Sequence, residues 1–164
     1  MLRVRPFFPE DIDPVWLMLQ PVIRSGDAYA LPMDLDREPA LAYWLHPTHE
    51  VFVAEIDGHV VGSYFLRPNQ AGGGAHVANC GYLTALSERG RGVARAMCAH
   101  SLDRARERGF RAMQFNFVVS SNDRAVRLWQ SLGFEIVGRL PEAFLHPRLG
   151  YIDSLVMFRR IEST

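Results

Sequence analysis

The stretch Leu83-Thr84-Ala85-Leu86-Ser87-Glu88-Arg89-Gly90-Arg91-Gly92-Val93-Ala94 leads from a predicted strand into the start of a predicted helix. Its two glycines let backbone N–H groups come close to an anion, and a helix N-terminus adds unpaired donors and a partial positive charge. Arg89 and Arg91 add side chains suited to charge-assisted contacts. The stretch matches neither the P-loop pattern nor the dinucleotide-binding glycine pattern. Local physics therefore leaves two interpretations open, a phosphate-binding loop or a polar turn before an ordinary helix.

The elements around this loop alternate between strands and helices. A strand is predicted from about residue 76 to 84, and the helix after the loop carries an apolar stripe formed by Ala94, Cys98, Leu102 and Ala105. Gly109 is placed to end that helix. Residues 113–117 alternate with period two, as a half-buried strand does, and a second helix follows with Ser121 or Asn122 as its N-cap.

Shorter patterns predict the remaining elements. They are a first strand over 3–8, helices over 13–23 and 36–45, a hairpin of strands 51–56 and 60–66 around Asp57-Gly58-His59, and closing strands over 134–137 and 151–158. The glycine-rich segment 69–74 is predicted to be a mobile loop within one domain. This mixed order predicts an α/β fold around one central sheet.

Composition sets limits on the class of protein. The chain has 164 residues, of which 48% are apolar and 22% charged, with 18 basic and 18 acidic side chains. These values are typical of a folded domain and exclude intrinsic disorder as the main state. Zero net charge argues against a dedicated nucleic-acid-binding protein, which usually has a basic excess. All 18 basic residues are arginine, so each cationic site uses a planar fork of N–H donors.

The sequence also predicts the cellular location of the protein and the partners that it lacks. No apolar run approaches the ~18–20 residues that cross a bilayer, and the first residues lack the apolar core of a signal peptide. Cys80 and Cys98 form no C-x-x-C pair and are interpreted as buried thiols. Pro47 interrupts the helical face that His46 and His49 would need to share a metal. We therefore predict a cytoplasmic, metal-free domain with no membrane or nucleic-acid partner.

Two motifs resemble those of the GNAT acetyltransferase superfamily. The residues Arg89-x-x-Gly92-x-Ala94 fit its R/Q-x-x-G-x-G/A signature, and a second motif matches at Asn122, Ala125, Leu128, Gly133 and Phe134. The resemblance covers nearly the whole chain. It implies an α/β GNAT fold, with a single mixed central sheet of about seven strands flanked by about four helices. It also implies that residues 1–164 form a single N-acetyltransferase domain that uses acetyl-coenzyme A as its acetyl donor.

The resemblance implies cofactor contacts by position in the motifs. The strand residues Tyr82, Leu83 and Thr84 would pair with the pantetheine arm through their backbone. The pyrophosphate would be wrapped by the loop residues, which are Arg89, Gly90, Arg91, Gly92, Val93 and Ala94. Asn122 would contact the cofactor where two strands separate. Trp129 stands where many members have a tyrosine that protonates the leaving thiolate, and an indole cannot serve as that acid.

A narrower likeness concerns the acceptor. Residues 62–69, 76–82 and 115–122 resemble a group of yeast N-acetyltransferases that act on proline analogues such as azetidine-2-carboxylate. This likeness implies active-site positions for Asn79, Asn116 and Asn122, with Tyr82 beside the substrate. Independently, Asn79 and Asn116 interrupt apolar strands, and a half-buried amide must find partners in the protein or face a cleft. We therefore assign Asn79 and Asn122 to catalysis, and Asn79, Asn116 and Tyr82 to substrate binding.

These assignments predict direct acetyl transfer to the amine of a small molecule, an amino or imino acid. The chain has no G-x-S-x-G elbow, so a covalent acyl-enzyme is disfavoured. Glu55, His76 and Asp153 are candidate bases, but each also fits a strand edge or a surface, and a water relay is an equal alternative.

Several other functions stay open at this stage. The chain is alternatively a protein N-terminal or lysine acetyltransferase, an antibiotic or herbicide acetyltransferase, or a non-catalytic acyl-coenzyme A sensor. The superfamily resemblance also suggests a homodimer.

Overall fold

The structure is a computed structural model that describes residues 1–163. The strands of its sheet are β1 (Leu2–Pro6), β2 (Glu50–Ile56), β3 (His59–Pro68), β4 (Val77–Thr84), β5 (Ala112–Val119), β6 (Glu135–His146) and β7 (Gly150–Arg160). The α-helices are α1 (Ile12–Ser25), α2 (Arg37–Trp44), α3 (Val93–Glu107) and α4 (Asp123–Ser131). The order of these elements confirms the predicted α/β fold. None of the helices in residues 1–163 has the length and apolar character needed to span a bilayer.

A gap divides the middle of the seven-stranded sheet, whose strand order is β1-β2-β3-β4-β5-β7-β6. Neighbouring strands run antiparallel except β4 and β5, which run parallel. This parallel pair is joined only where Val77 lies beside Ala112 and Ala78 beside Met113. Beyond these pairs the two strands separate, so that the later residues of β4 have no strand partner on the β5 side.

Alternation along the strands gives the sheet two apolar faces. On one face, Ala78 and Cys80 of β4 pack with α3 in a core that includes Met97. On the other face, Leu83 of β4 and Phe65 of β3 pack with α1 and α2. The even-numbered residues of β4 therefore face α3, and the odd-numbered residues face α1 and α2.

Both cysteines are free and buried, as the sequence predicts. Burial raises the pKa of the Cys98 thiol to about 11. Burial also raises the pKa of Cys80 far above its ordinary value. Both side chains are therefore neutral near pH 7 and pack as small apolar groups.

The hairpin between β2 and β3 turns at Asp57 and Gly58, whose φ angles are +50° and +82°. These are left-handed conformations, which aspartate and glycine tolerate well, and the predicted turn is confirmed. The glycine-rich segment after β3, which the sequence predicts to be a mobile loop, contains a short 3-10 turn at Gly72–Gly74.

The strand β6 is much longer than the sequence predicts. It was expected over 134–137, but it continues to His146 and pairs with β7. Most of its side chains are exposed, so no apolar alternation marks it. Pro141 also lies within it, and the register shifts between Leu140 and Phe144. An edge strand tolerates a proline and a bulge because one side of its backbone forms no ladder.

An ion-pair cluster joins β1 to β2 and to the start of α1. Arg5 donates to the two carboxylate oxygens of Asp11 at 2.8 and 3.0 Å, and to Oε2 of Glu55 at 2.8 Å. Asp11 is only 3% exposed and also accepts from the Phe8 N–H at 2.8 Å. The Arg5 guanidinium holds the pKa of the Asp11 carboxyl below its usual range.

Replacing Arg5 with methionine is expected to lower the free energy of unfolding by about 2 kcal/mol, because the buried Asp11 carboxylate loses its charged partner. The native pKa of Asp11 is depressed, so this contribution is complete above the pKa of an unfolded aspartate, about 4, and is lost as the pH falls through the native value. Urea unfolding of both proteins at pH 7 and pH 3 measures the effect. A difference that does not shrink at pH 3 would contradict this role for the ion pair.

Candidate active site

A cleft of about 910 Å³ opens where β4 and β5 separate, and we call it the splay cleft. Its lining includes the loop between β4 and α3, the end of β3, and the turn between β6 and β7. All but one of the residues predicted to bind the cofactor or the acceptor line it, namely Asn79, Tyr82, Leu83, Thr84, Arg89, Gly90, Gly92, Val93, Ala94, Asn116, Asn122 and Trp129. The exception is Arg91.

The loop between β4 and α3 has the backbone of an anion-binding turn. Gly90 and Gly92 have φ angles of +84° and +82°, which other residues rarely adopt. A Cβ added at Gly92 would meet nothing within 4 Å, so the space beside this backbone is open. The first hydrogen bond of α3 runs from the Ala96 N–H to the Gly92 carbonyl at 3.0 Å. The earlier N–H groups of α3 are therefore available to an anion.

The arginines at this end of the cleft differ in their surroundings. Arg89 lines the cleft, whereas Arg91 lies outside it and donates to Oε2 of Glu88 at 2.6 Å. Arg124 of α4 also lines the cleft, and its Nη2 would lie 3.2 Å from a Cβ added at Gly90. The phosphate contact expected of Arg91 stays a prediction, and Arg124 is a nearby cation that the sequence did not reveal.

The side chain of Tyr29 forms hydrogen bonds with the backbone of β4 within the cleft. The Tyr29 hydroxyl donates to the Tyr82 carbonyl at 2.6 Å and accepts from the Tyr82 N–H at 3.0 Å. Tyr29 lies between α1 and α2 and packs edge-to-face against Trp44, with ring centroids 6.2 Å apart. Burial raises the pKa of Tyr29, so its hydroxyl stays protonated. A ligand that pairs with this part of β4 must therefore displace Tyr29.

The ring of Tyr82 packs toward α3, away from the face covered by α1 and α2. Its hydroxyl lies 2.7 Å from Oγ of Ser101, and its ring centroid lies 5.0 Å from that of Trp129. Burial raises the pKa of Tyr82 well above its ordinary value. The phenol is therefore a neutral core group, and the position beside the substrate expected of Tyr82 stays a prediction.

Polar side chains meet at the closed end of the gap, on the face of the sheet covered by α1 and α2. Oδ1 of Asn79 accepts from Nε of Arg67 at 3.1 Å, and its Nδ2 donates to the Gln114 carbonyl at 2.9 Å. Nε2 of Gln114 donates to Oδ1 of Asn116 at 2.9 Å, and Nδ2 of Asn116 donates to Oδ1 of Asn69 at 2.6 Å. We call these five residues the amide ladder. It brings together the predicted pair Asn79 and Asn116.

The opposite wall of the cleft is formed by β5 and α4. Asn122 is the N-cap of α4, and its Oδ1 accepts from the Ala125 N–H at 3.3 Å. Of the two caps that the sequence predicts, Ser121 and Asn122, the structure has Asn122. Trp129 is 8% exposed, and its ring centroid lies 5.1 Å from that of Phe115. The indole therefore forms a rigid, largely apolar part of this wall.

A sequence model of the acetyltransferase (GNAT) family matches residues 16–134. The chain belongs to this family. The match runs from α1 to the end of α4, so it includes the glycine loop, the amide ladder and Asn122. The superfamily predicted from the two motifs is confirmed. GNAT acetyltransferases use acetyl-coenzyme A.

Three relatives describe the similarity of this GNAT chain to known proteins. It is 31% identical over 113 residues to N-acetyltransferase aca1 of Schizosaccharomyces pombe, a stretch that covers 67% of this chain and 54% of that protein. A GCN5-related N-acetyltransferase from Kribbella flavida is 42% identical, with a TM-score of 0.92 and 97% of each chain covered. An acetyltransferase from Salmonella typhimurium, solved with its cofactor acetyl-coenzyme A, has a TM-score of 0.86 at 20% identity, with 100% of this chain and 96% of that chain covered.

These relatives differ in what they establish for this GNAT chain. The chain spans about half the length of the S. pombe protein, whose activity as a whole is therefore not carried over here. At 20% identity, the likeness to the Salmonella protein shows the fold alone.

The candidate bases taken from the sequence of this GNAT protein lie outside the splay cleft. Glu55 is held by two arginines of β1, and Asp153 accepts from Nη1 of Arg139 at 2.8 Å. His76 precedes β4 and does not line the cleft. The contacts of Glu55 and Asp153 support the structural interpretation of both carboxylates.

One histidine that the sequence did not single out does line the cleft. Nδ1 of His146 accepts from the N–H groups of Arg148 and Leu149, each at 3.1 Å. With Nδ1 used as an acceptor, the proton of the neutral ring lies on Nε2. In this arrangement His146 is a hydrogen-bond donor and does not offer a base.

Proposed function

We propose that this chain transfers the acetyl group of acetyl-coenzyme A to the amine of a small molecule, an amino or imino acid. We also propose that residues 1–164 act as a single cytoplasmic domain that forms a homodimer. The observation that carries the proposal is the splay cleft, which connects an anion-binding loop at one end with a cluster of amides at the other. The N-acetyltransferase of S. pombe, 31% identical over 113 residues, adds support.

The residues of the cleft fit acetyl-coenzyme A. The open backbone at Gly92 and the free N–H groups at the start of α3 suit its pyrophosphate. From Thr84 back to Asn79, β4 offers roughly 17 Å of extended backbone, at about 3.3 Å per residue, for the pantetheine arm. When bound, acetyl-coenzyme A supplies an acetyl thioester, whose acyl carbon would accept a neutral amine as the C–S bond breaks and coenzyme A leaves as its thiolate.

The chain's own groups bind and orient the reactants. We assign phosphate binding to the loop, namely Arg89, Gly90, Arg91, Gly92, Val93 and Ala94, and binding of the arm to the backbone of Tyr82, Leu83 and Thr84. Asn122 would contact the cofactor beside the gap, and Trp129 would shield it from water. Once Tyr29 withdraws, the Tyr82 N–H becomes a donor that can polarise an acyl oxygen.

The acceptor amine must lose a proton, and we propose that water carries this proton out of the cleft. Among residues 1–163, the carboxylates that line the cleft are Asp27 and Glu88. Glu88 is paired with Arg91, and Asp27 accepts from the Ser25 hydroxyl at 2.8 Å. Neither belongs to the amide ladder, so a relay of water molecules is the simpler route.

The proposed acceptor class rests on the amide ladder. Side-chain amides offer both donors and acceptors, which suits a small molecule that carries a nitrogen and a carboxyl group close together. The likeness of residues 62–69, 76–82 and 115–122 to yeast enzymes that act on proline analogues favours cyclic imino acids as the first acceptors to test.

Thiol release from acetyl-coenzyme A, measured with a panel of acceptors, tests the function. We expect azetidine-2-carboxylate and proline to give higher kcat/KM than peptides with free N-termini, lysine peptides or aminoglycosides. A peptide with the highest kcat/KM would establish a protein acetyltransferase instead. Calorimetric binding of acetyl-coenzyme A with no thiol release from any amine would indicate a sensor.

Replacing Trp129 with phenylalanine is expected to leave at least half of the thiol-release activity. An indole transfers no proton near neutral pH, and phenylalanine keeps an aromatic wall against Phe115. Initial rates at saturating acetyl-coenzyme A measure the effect. An inactive but folded variant would show that the indole N–H takes part in the reaction.

A further inference from the structure

Arg67 lies at the end of β3, directly opposite Asn79 of β4. It is half-buried and lines the splay cleft at the closed end of the gap. The pyrophosphate loop lies at the other end of β4, so Arg67 stands on the acceptor side of the proposed thioester. Its neighbours include Tyr43 and Phe65, which also line the cleft and pack edge-to-face with ring centroids 6.1 Å apart.

The orientation of the Arg67 guanidinium is fixed from one side. Its Nε donates to Oδ1 of Asn79, which is 7% exposed and itself anchored to the Gln114 carbonyl. Within residues 1–163, no carboxylate pairs with Arg67 and its Nη1 and Nη2 groups have no hydrogen-bond acceptor. These two groups form the fork of parallel N–H donors that matches a carboxylate.

No acidic side chain within residues 1–163 balances the positive charge of Arg67, and this charge affects the pKa of a neighbouring histidine. Burial lowers the pKa of His49, and the positive charge of Arg67 lowers it further. Of the acidic side chains that line the cleft, Glu88 is paired with Arg91 and Asp27 with the Ser25 hydroxyl. A half-buried cation that lines a cleft and has no acidic partner is available to an anionic ligand.

We propose that Arg67 binds the carboxylate of the acceptor and thereby selects amines that carry a carboxylate on the adjacent carbon. The inference rests on the proposed function, because it takes the closed end of the cleft as the acceptor site. Asn79 then acts as a positioning residue for the guanidinium. Amines of the same size that lack a carboxylate leave the fork unpaired and bind weakly.

Matched acceptors test this selection in the full chain. We compare proline with pyrrolidine, and azetidine-2-carboxylate with azetidine, by kcat/KM for thiol release. The unmodified protein is expected to favour each carboxylate-bearing acceptor by about 100-fold. Arg67→Met is expected to remove this preference by lowering kcat/KM for the acids alone, while the affinity for acetyl-coenzyme A is unchanged. Arg67→Lys, which restores the charge but lacks the fork, should recover part of the preference.

Arg127→Met serves as the matched control, since Arg127 is exposed on α4 and does not line the cleft. Equal rates with proline and pyrrolidine in the unmodified protein, or an equal fall for both in Arg67→Met, would overturn the role of Arg67 and leave acetyl transfer standing. If no amine is acetylated, the proposed function is wrong, and the role of Arg67 is decided by a separate binding experiment. Calorimetric titration of azetidine-2-carboxylate and azetidine into the coenzyme A complex then tests the carboxylate site without turnover, and equal binding would overturn it.

Discussion

The Gly92→Glu protein is expected to bind acetyl-coenzyme A at least tenfold more weakly than the unmodified protein, a loss of about 1.4 kcal/mol or more. Gly92 has φ +82°, and the space beside it is open. A glutamate there places a carboxylate where the proposed pyrophosphate lies, beside the N-terminus of α3. Isothermal titration calorimetry with acetyl-coenzyme A measures the change.

Gly58→Glu is a matched control for this variant. Gly58 also has φ +82° with nothing within 4 Å of an added Cβ, but it lies in the hairpin turn between β2 and β3. Both variants therefore introduce the same backbone strain, and only one introduces it at the cleft. An unchanged affinity in a folded Gly92→Glu protein would contradict the placement of the pyrophosphate.

The Asn79→Ala protein is expected to lose about 100-fold in kcat/KM for the acceptor, the order seen when one positioned polar group is removed. The substitution removes the hydrogen bond from Nε of Arg67 and the hydrogen bond to the Gln114 carbonyl. The Arg67 side chain at the closed end of the cleft is then no longer held in its orientation. The affinity for acetyl-coenzyme A should hardly change, because the loop lies at the other end of β4. Steady-state kinetics and calorimetry measure the two quantities separately.

Asn122→Ala provides the contrast. Asn122 caps α4 and lines the cleft beside the gap, so its loss should weaken acetyl-coenzyme A binding as well as activity. If Asn79→Ala stays active while Trp129→Phe is inactive, the acceptor lies nearer to the indole than we propose. The likeness to the yeast enzymes would then be one of scaffold only.

The features that local sequence determines were predictable. Asp57 and Gly58 form a tight turn through their own backbone preferences, and Gly92 allows the left-handed entry into α3. The two motifs fixed the family, and with it the gap between β4 and β5. Asn79 and Asn116 were found because an amide inside an apolar strand departs from the pattern around it.

Other features depend on contacts between distant residues, which periodicity does not encode. Tyr29 lies in an irregular segment, and nothing near it indicates that its hydroxyl reaches Tyr82, which is 53 residues away. Arg67 did carry a signal, as the charged residue near the end of an apolar strand, but its pairing with Asn79 needed the register of β3 and β4. The length of β6 could not be predicted from the sequence, because an exposed edge strand has no apolar face to mark it.

The bond between Tyr29 and Tyr82 also bears on pairing between copies of this chain. A strand that lacks a neighbour presents N–H and C=O groups that can template pairing with another chain, and the separation of β4 from β5 creates such an edge inside the sheet. A single phenol hydroxyl satisfies both the donor and the acceptor of Tyr82 at this edge. Tyr29 thus leaves fewer unpaired backbone groups on β4 for intermolecular β-sheet formation.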